Sequence, residues 1–268
     1  MPFADLDGLD FPVFEPGTVW LVGAGPGAPG LMSLLGFHAM QHADVIVYDA
    51  LVNEGLLALA NPAAERIYAG KRGGKPSEKQ ADITLRLVAL AEAGRRVLRL
   101  KGGDPMMFGR GAEEALALAA QGISYRIVPG ITAGIGGLAY AGLPVTYRET
   151  NHAVVFLTGH DETGGVPASV DWAAVAKAAP VIVMYMATKH LPSIAEKLLA
   201  AGRDPGDWLA AICNATLPDE YTVDGTLGRV AEIIDMIVPP AIVVLGPVGR
   251  YRQDLSWRHG ALKDNPLG

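Results

Sequence analysis

Short apolar runs rich in β-branched residues recur along the chain, separated by segments of helical length. The runs are VWLVG (19–23), DVIVYD (44–49), RRVLRL (95–100), SYRIV (124–128), AVVFLTG (153–159), PVIVMYM (180–186), WLAAIC (208–213) and AIVVLG (241–246). They lack strict apolar–polar alternation, the pattern of strands covered on both faces. Amphipathic segments at 78–93, 112–121, 190–201 and 227–237 fall between them. Strand and helix in alternation predict an α/β fold with mainly parallel, mixed sheets.

The Gly- and Pro-rich passage LPVTYRET (143–150) separates a first set of strands from a second. Two α/β domains are therefore expected, 18–146 and 147–258, with a cleft between them. A flexible N-terminal tail at 1–17 and a C-terminal tail at 259–268 complete the chain. The uncharged stretch 127–147 approaches membrane-spanning length, but Pro129, Pro144 and glycines at 130, 134, 136, 137 and 142 interrupt it. It reads as strand, turn, short helix and turn.

With 268 residues, 50% hydrophobic and 19% charged, the chain can bury a sizeable core. A net charge of −6 argues against a nucleic-acid binder, which needs an excess of Lys and Arg, so an anionic ligand must meet a local basic cluster. Cys213 is the single cysteine, which excludes an internal disulfide and a cysteine metal site and suits a reducing cytosol. It reads as a small core residue. The acidic start MPFADLDGLDFPVFEPG lacks the pattern of a secretion signal. A cytoplasmic protein with neither membrane nor nucleic acid among its partners is expected.

Two glycine loops carry the candidate chemistry. In the first, VWLVG runs into GAGPGAPG (23–30), with Asp49 at the end of the next strand. Gly23, Gly25 and Ala28 fit G-x-G-x-x-A, and Asp49 stands where a ribose-binding acid would, so an NAD(P)-dependent oxidoreductase is one reading. Against it, Pro26 and Pro29 remove backbone N–H groups where a phosphate needs them. A tight strand-to-helix turn explains the glycines as well.

The second loop, KGGDPMMFGRGAEEA from Lys101, joins two glycines, Asp104, an apolar pair and Gly109-Arg110-Gly111 to an acidic helix start. Backbone, carboxylate and guanidinium thus meet just past a strand's carboxyl end, where α/β proteins place ligands. An ordinary loop with Asp104 capping a turn is the plainer alternative.

GAGPG (23–27), VYD (47–49), GKR (70–72), LKGGDPMMFGRG (100–111), VPGIT (128–132), AYAGLPVT (139–146), TGH (158–160), YM (185–186) and NAT (214–216) occur in this order. Together they resemble the tetrapyrrole methylase family, and within it the uroporphyrinogen-III C-methyltransferases, over about 18–257. The resemblance implies methyl transfer from two S-adenosylmethionine molecules to rings A and B of uroporphyrinogen III. The products are precorrin-2, on the way to cobalamin or sirohaem, and S-adenosylhomocysteine. It also implies a homodimer, no metal, and a cofactor folded up in the cleft of a two-domain fold that is not Rossmann.

Carried over by position, cofactor contacts fall to Pro26, Gly102, Gly103, Asp104, Met107, Thr132, Ala133, Met186 and Ala215. Asp104 suits the methionine ammonium, and Met107 and Met186 offer soft packing, although each methionine alone would equally be core. The polycarboxylate substrate points to Lys71, Arg72, Arg110 and Arg148. Catalytic candidates are Asp49 as proton acceptor, Lys71 as donor, Arg110 and Glu113. Arg110 is favoured for substrate binding because its guanidinium stays protonated.

The chain departs from the family pattern at Pro76 and Tyr147, where histidines are common, so no role for those histidines applies. Relatives act on later precorrins, which keeps a different acceptor open, as does a catalytically silent binding protein. Some relatives carry a fused dehydrogenase and ferrochelatase module. The expectation here is a methylase alone.

Overall fold

A computed structural model describes residues 8–70, 80–161 and 164–259. Lys71, Arg72 and Pro76 lie outside these described residues. The chain divides into two units between Ile131 and Thr132.

In the first unit the order is β1 (Val19–Gly23), α1 (Leu34–His42), β2 (Val45–Tyr48), α2 (Glu54–Leu57), β3 (Glu65–Tyr68), α3 (Gln80–Glu92), β4 (Val97–Lys101), α4 (Gly111–Ala120) and β5 (Tyr125–Val128). The sheet runs β3-β2-β4-β1-β5 with every pairing parallel. Apolar cores cover both faces, which is why the strand sequences do not alternate. Trp20, Val22, Leu98 and Leu100 pack with α1 and α2. Val19, Leu21 and Val97 pack with Ile83 and Leu87 of α3 and Leu118 of α4.

The N-terminal stretch expected as a loose tail is packed from Phe11 onward. Phe14 is buried and stacks on Trp20 at 4.5 Å, Phe11 stacks on His38 at 4.7 Å, and Arg96 Nε donates to the Phe14 carbonyl at 2.9 Å. Two aromatics supply more apolar area than an acidic tail suggests.

The second unit continues with α5 (Ala133–Tyr140), β6 (Val154–Thr158), α6 (Trp172–Ala178), β7 (Val181–Tyr185), α7 (Leu191–Ala200), β8 (Trp208–Cys213), β9 (Tyr221–Thr226), α8 (Val230–Ile233), β10 (Ala241–Leu245) and α9 (Arg252–Leu255). Its sheet runs β6-β7-β10-β8-β9, and only β6 and β7 pair in parallel. Over the two sheets pairing is mainly parallel, with the antiparallel ladders confined to the second. Ile182, Met184, Leu209, Ala211, Val243 and Leu245 form the core with Leu191, Ile194 and Leu198 of α7 and Val230 of α8. Cys213 is buried and free, as expected of a small core residue.

The division falls earlier than the passage at 143–150 that the sequence suggests. Helix α5 packs on β7 and β10, and its leading residue Thr132 is hydrogen-bonded to Tyr185, so both belong with the second sheet. Among the described residues no helix is long and apolar enough to cross a membrane.

Candidate active site

Because β1, β2 and β4 are parallel, the loops that leave their carboxyl ends emerge on one edge of the first sheet. The first two glycine loops are joined there backbone to backbone. Ala24 N donates to Lys101 O at 2.7 Å, Gly25 N to Gly103 O at 3.1 Å, and Gly103 N to Gly25 O at 2.7 Å. Glycine is required by the closeness of approach: a Cβ on Gly130 would lie 2.2 Å from Gly103 O, and one on Gly23 2.5 Å from the same oxygen. Gly103 itself has φ +68°.

This closure bears on the oxidoreductase reading. A dinucleotide loop turns free amides toward a pyrophosphate and opens directly into a helix. Here the amides of Ala24 and Gly25 are engaged by the second loop, and α1 begins only at Leu34, where Ser33 Oγ accepts from Gly36 N at 3.1 Å. The first loop is a structural turn against the second, with half-buried Pro26 at its tip.

Asp104 bridges two segments. Its Oδ1 accepts from Met106 N at 2.7 Å and its Oδ2 from Gly130 N at 2.9 Å. The turn-capping alternative is thus realised, yet a carboxylate has about four acceptor sites, and two amides leave room for an ammonium. Asp49 behaves similarly, accepting from Leu51 N at 3.1 Å and from Gly102 N at 3.3 Å. The loop after β2 is thereby tied to the loop after β4.

Arg110 precedes α4 in the left-handed region, φ +59°. Its guanidinium grips Glu113 in a fork, Nη2 to Oε2 at 2.6 Å and Nε to Oε1 at 3.0 Å, with both side chains more than half exposed. The hydrogen bond from Arg110 holds the Glu113 carboxyl below the usual carboxylate range, with Lys101 adding to the effect. That makes Glu113 a weaker proton acceptor than its place in the loop suggests.

Beneath these loops lies a group that the sequence reading missed. Arg99, Lys101 and Glu114 are buried together, at 3%, 4% and 0% exposure. Arg99 Nε lies 3.2 Å and Lys101 Nζ 3.0 Å from the same Glu114 Oε1. Burial, and then the Arg99 charge, push the Lys101 ammonium below the usual lysine range, while Glu114 and Asp49 oppose the shift. The available signal was RLK at 99–101: two cations two residues apart on a strand share one face, and the strand is otherwise apolar.

In the second unit, β7 and β8 both run antiparallel to β10 between them, so their carboxyl ends share one edge. Met186 follows β7 and Ala215 follows β8. Met186 has φ +52°, and Ala215 stands between Asn214 at +49° and Thr216 at +69°. Strained non-glycine residues of this kind concentrate at ligand sites. Thr132 and Ala133 open α5, where Tyr185 Oη lies 2.7 Å from Thr132 Oγ1 and accepts from Gly134 N at 2.9 Å. Gly137 brings α5 close to Ala215: a Cβ there would stand 2.8 Å from the alanine methyl. Tyr185 was legible only as part of YM, and its role as anchor for α5 was not.

Arg148 is exposed on a turn closed by Tyr147 and Asn151, with Tyr147 N donating to Asn151 Oδ1 at 3.0 Å. Tyr147 packs on Tyr251 with ring centroids 4.4 Å apart. Among the described residues no cluster of His, Cys, Asp and Glu could hold a metal. Met107 is half-buried within the second loop.

Residues 18–231 match the family model of the Tetrapyrrole (Corrin/Porphyrin) Methylases. The chain belongs to the tetrapyrrole methylases. Among these methylases, a uroporphyrinogen-III C-methyltransferase of a Sinorhizobium species is 59% identical over 96% of this chain and 92% of its own length. A siroheme synthase of Neisseria meningitidis is 43% identical over 91% of the chain, which spans 50% of that longer protein. The crystal structure of a uroporphyrin-III C-methyl transferase from Thermus thermophilus, complexed with S-adenyl homocysteine, superposes with a TM-score of 0.77. It is 40% identical, covering 87% of this chain and 99% of its own.

Proposed function

We propose that this tetrapyrrole methylase transfers methyl groups from S-adenosylmethionine to rings A and B of uroporphyrinogen III, giving precorrin-2. The observation that carries the reading is the joining of the glycine loops. It uses the amides that a dinucleotide would need, while Asp104, with two acceptor sites taken by amides, keeps capacity for a different ligand. The 59% identity to a named uroporphyrinogen-III C-methyltransferase supports the acceptor over a later precorrin.

S-adenosylmethionine supplies an activated methyl on its sulfonium and leaves as S-adenosylhomocysteine. The residues present fit it. Asp104 retains acceptor capacity for the ammonium, and Gly102 and Gly103 are assigned backbone contacts beside it. Pro26, Met107, Thr132, Ala133, Met186 and Ala215 are assigned the remaining contacts. These residues would hold the donor with its methyl carbon in line with the acceptor carbon, positioning that is worth roughly 7–11 kcal/mol when the geometry is right. The new C–C bond takes its electron pair from the pyrrole, and a proton must then leave the macrocycle. Asp49 is assigned as its acceptor and Lys71 as donor. Arg110, Arg148, Lys71 and Arg72 are assigned to the substrate carboxylates, with Glu113 orienting Arg110.

The reading extends to a homodimer in the cytoplasm. A single cysteine, which suits a reducing compartment, supports the cytoplasm. Sedimentation of the purified chain tests the dimer. The activity is tested by anaerobic incubation with uroporphyrinogen III and S-adenosylmethionine, followed by mass spectrometry. Addition of two methyl groups is expected. No methylated product, or tight binding of NAD(H) without binding of S-adenosylhomocysteine, would overturn the reading.

A further inference from the structure

The turn between β8 and β9 holds Ala215 in a backbone that its sequence does not favour. Asn214 and Thr216 on either side are left-handed, with φ +49° and +69°, and for a β-branched threonine that region is strained. Such residues persist only where the surroundings hold them in place. The Ala215 methyl faces α5, where a Cβ on Gly137 would stand 2.8 Å from it. The backbone is therefore the part of Ala215 that can meet a ligand.

A buried ion pair fixes that backbone. Glu220, which precedes β9, has a side chain 3% exposed, and its Oε2 accepts from Thr216 N. The same oxygen lies 3.2 Å from Arg258 Nη1, the partner that a buried carboxylate requires. Arg258 Nη2 donates to Leu217 O at 3.3 Å, and the guanidinium carbon lies 5.2 Å from the centre of the Tyr140 ring at the end of α5. Trp257 meets Tyr140 edge to face at 5.3 Å and donates from Nε1 to Ala139 O at 3.2 Å. The segment after α9 thus ties the turn to α5, and Glu220 is where it reaches the 215–216 peptide. Because that trans peptide is planar, holding its N–H sets the direction of its carbonyl, which belongs to Ala215.

We propose that Glu220, with Arg258 as its counter-charge, is a positioning residue for S-adenosylmethionine, holding the 215–216 peptide so that Ala215 presents its carbonyl to the cofactor. The inference rests on the assignment of Ala215 as a cofactor contact. Without Glu220 the left-handed turn relaxes, and only the fraction of molecules that retain it binds at full strength.

The test uses the full chain and S-adenosylhomocysteine as the calorimetric probe. Glu220→Ala is expected to raise Kd by about tenfold, as when one molecule in ten holds the competent turn. KM for S-adenosylmethionine should rise in step, while kcat at saturation and KM for uroporphyrinogen III stay within about threefold. Glu220→Gln should recover most of the affinity, since both donors converge on one oxygen and a glutamine carbonyl can stand in its place. A role in stability alone would lower the binding-competent amount of protein and leave Kd as it was.

Wild-type Kd in a folded Glu220→Ala overturns the inference, and so does a Glu220→Gln as weak as Glu220→Ala. Hydrogen exchange at the Thr216 amide, followed by NMR without ligand, should quicken in Glu220→Ala and stay slow in Glu220→Gln; unchanged exchange in Glu220→Ala overturns the contact. Absence of S-adenosylhomocysteine binding by the wild type overturns the assigned function, and this inference with it. Should Glu220→Ala not fold, Glu220→Ala combined with Arg258→Met removes both charges together and carries the same comparison.

Discussion

The hydroxyl of Tyr185, at the end of β7, lies 2.7 Å from the hydroxyl of Thr132 and accepts from Gly134 N at 2.9 Å. One strand residue thereby holds the first turn of α5, on which two assigned cofactor contacts sit. Tyr185→Phe keeps the ring and removes both bonds, stranding partners in a buried place. A stability loss of about 1–3 kcal/mol is expected in urea denaturation, with weaker S-adenosylhomocysteine binding by calorimetry. An unchanged midpoint and affinity would show that the hydroxyl anchors nothing.

Glu114 is the sole carboxylate in contact with two buried cations among the described residues. Glu114→Ala leaves both without it and should cost about 3–5 kcal/mol or prevent folding. Glu114→Gln keeps an acceptor and should fall between Ala and wild type. Equal denaturation midpoints for all three would contradict the charge arrangement.

Asp104 serves two ends, receiving the amides of Met106 and Gly130 while being assigned to the cofactor ammonium. Asp104→Asn should lose the charge-assisted contact, about 1.5–3 kcal/mol of binding or some ten- to hundredfold in affinity, with a smaller loss of stability. Asp104→Ala should lose both. Undiminished affinity in the two variants, read by calorimetry, would remove Asp104 from the cofactor site.

Stability should rise with pH in two separate windows. Lys101 titrates in the folded chain below its ordinary value of 10.5, so the unfolded chain binds more protons between the two values and stability rises with pH through that window. Lys101→Met should flatten this rise. Glu113 is depressed below its ordinary 4.5, so its contribution is present above 4.5 and is lost as pH falls through the folded value. Its exposure keeps that contribution small. Urea denaturation across pH, wild type against Lys101→Met, checks the first sign; a steeper alkaline rise in the variant would refute it.

The contact of Gly130 with Gly103 admits no side chain. Gly130→Ala should be destabilised by about 4 kcal/mol or more, the range of severe core disruption. Gly30→Ala, where a Cβ meets nothing within 4 Å, should stay within about 0.5 kcal/mol. Thermal melts of the pair give the comparison directly.

Of the eight apolar runs that became strands, six are almost wholly buried, and burial is what the sequence pattern reports; the edge strands β5 and β6 are only partly covered. β3 and β9 escaped notice for the converse reason. ERIY at 65–68 and YTVDGT at 221–226 are edge strands, largely polar and half exposed. The two glycine loops were legible as loops, but not their mutual closure, since a backbone pairing between Gly25 and Gly103 leaves no mark on side-chain pattern. Arg99 and Lys101 were visible residue by residue. What could not be read was Glu114, whose partnership with them depends on how α4 lies over β4.

The paired amides of Gly25 and Gly103 also have a kinetic meaning. Each donates to the other's carbonyl, so neither loop can open without releasing both bonds. Deuterium should enter the two amides at a common rate, as one cooperative unit. A substitution anywhere in 24–28 would then register in how often the second loop opens, and through that in how quickly a ligand held there can leave.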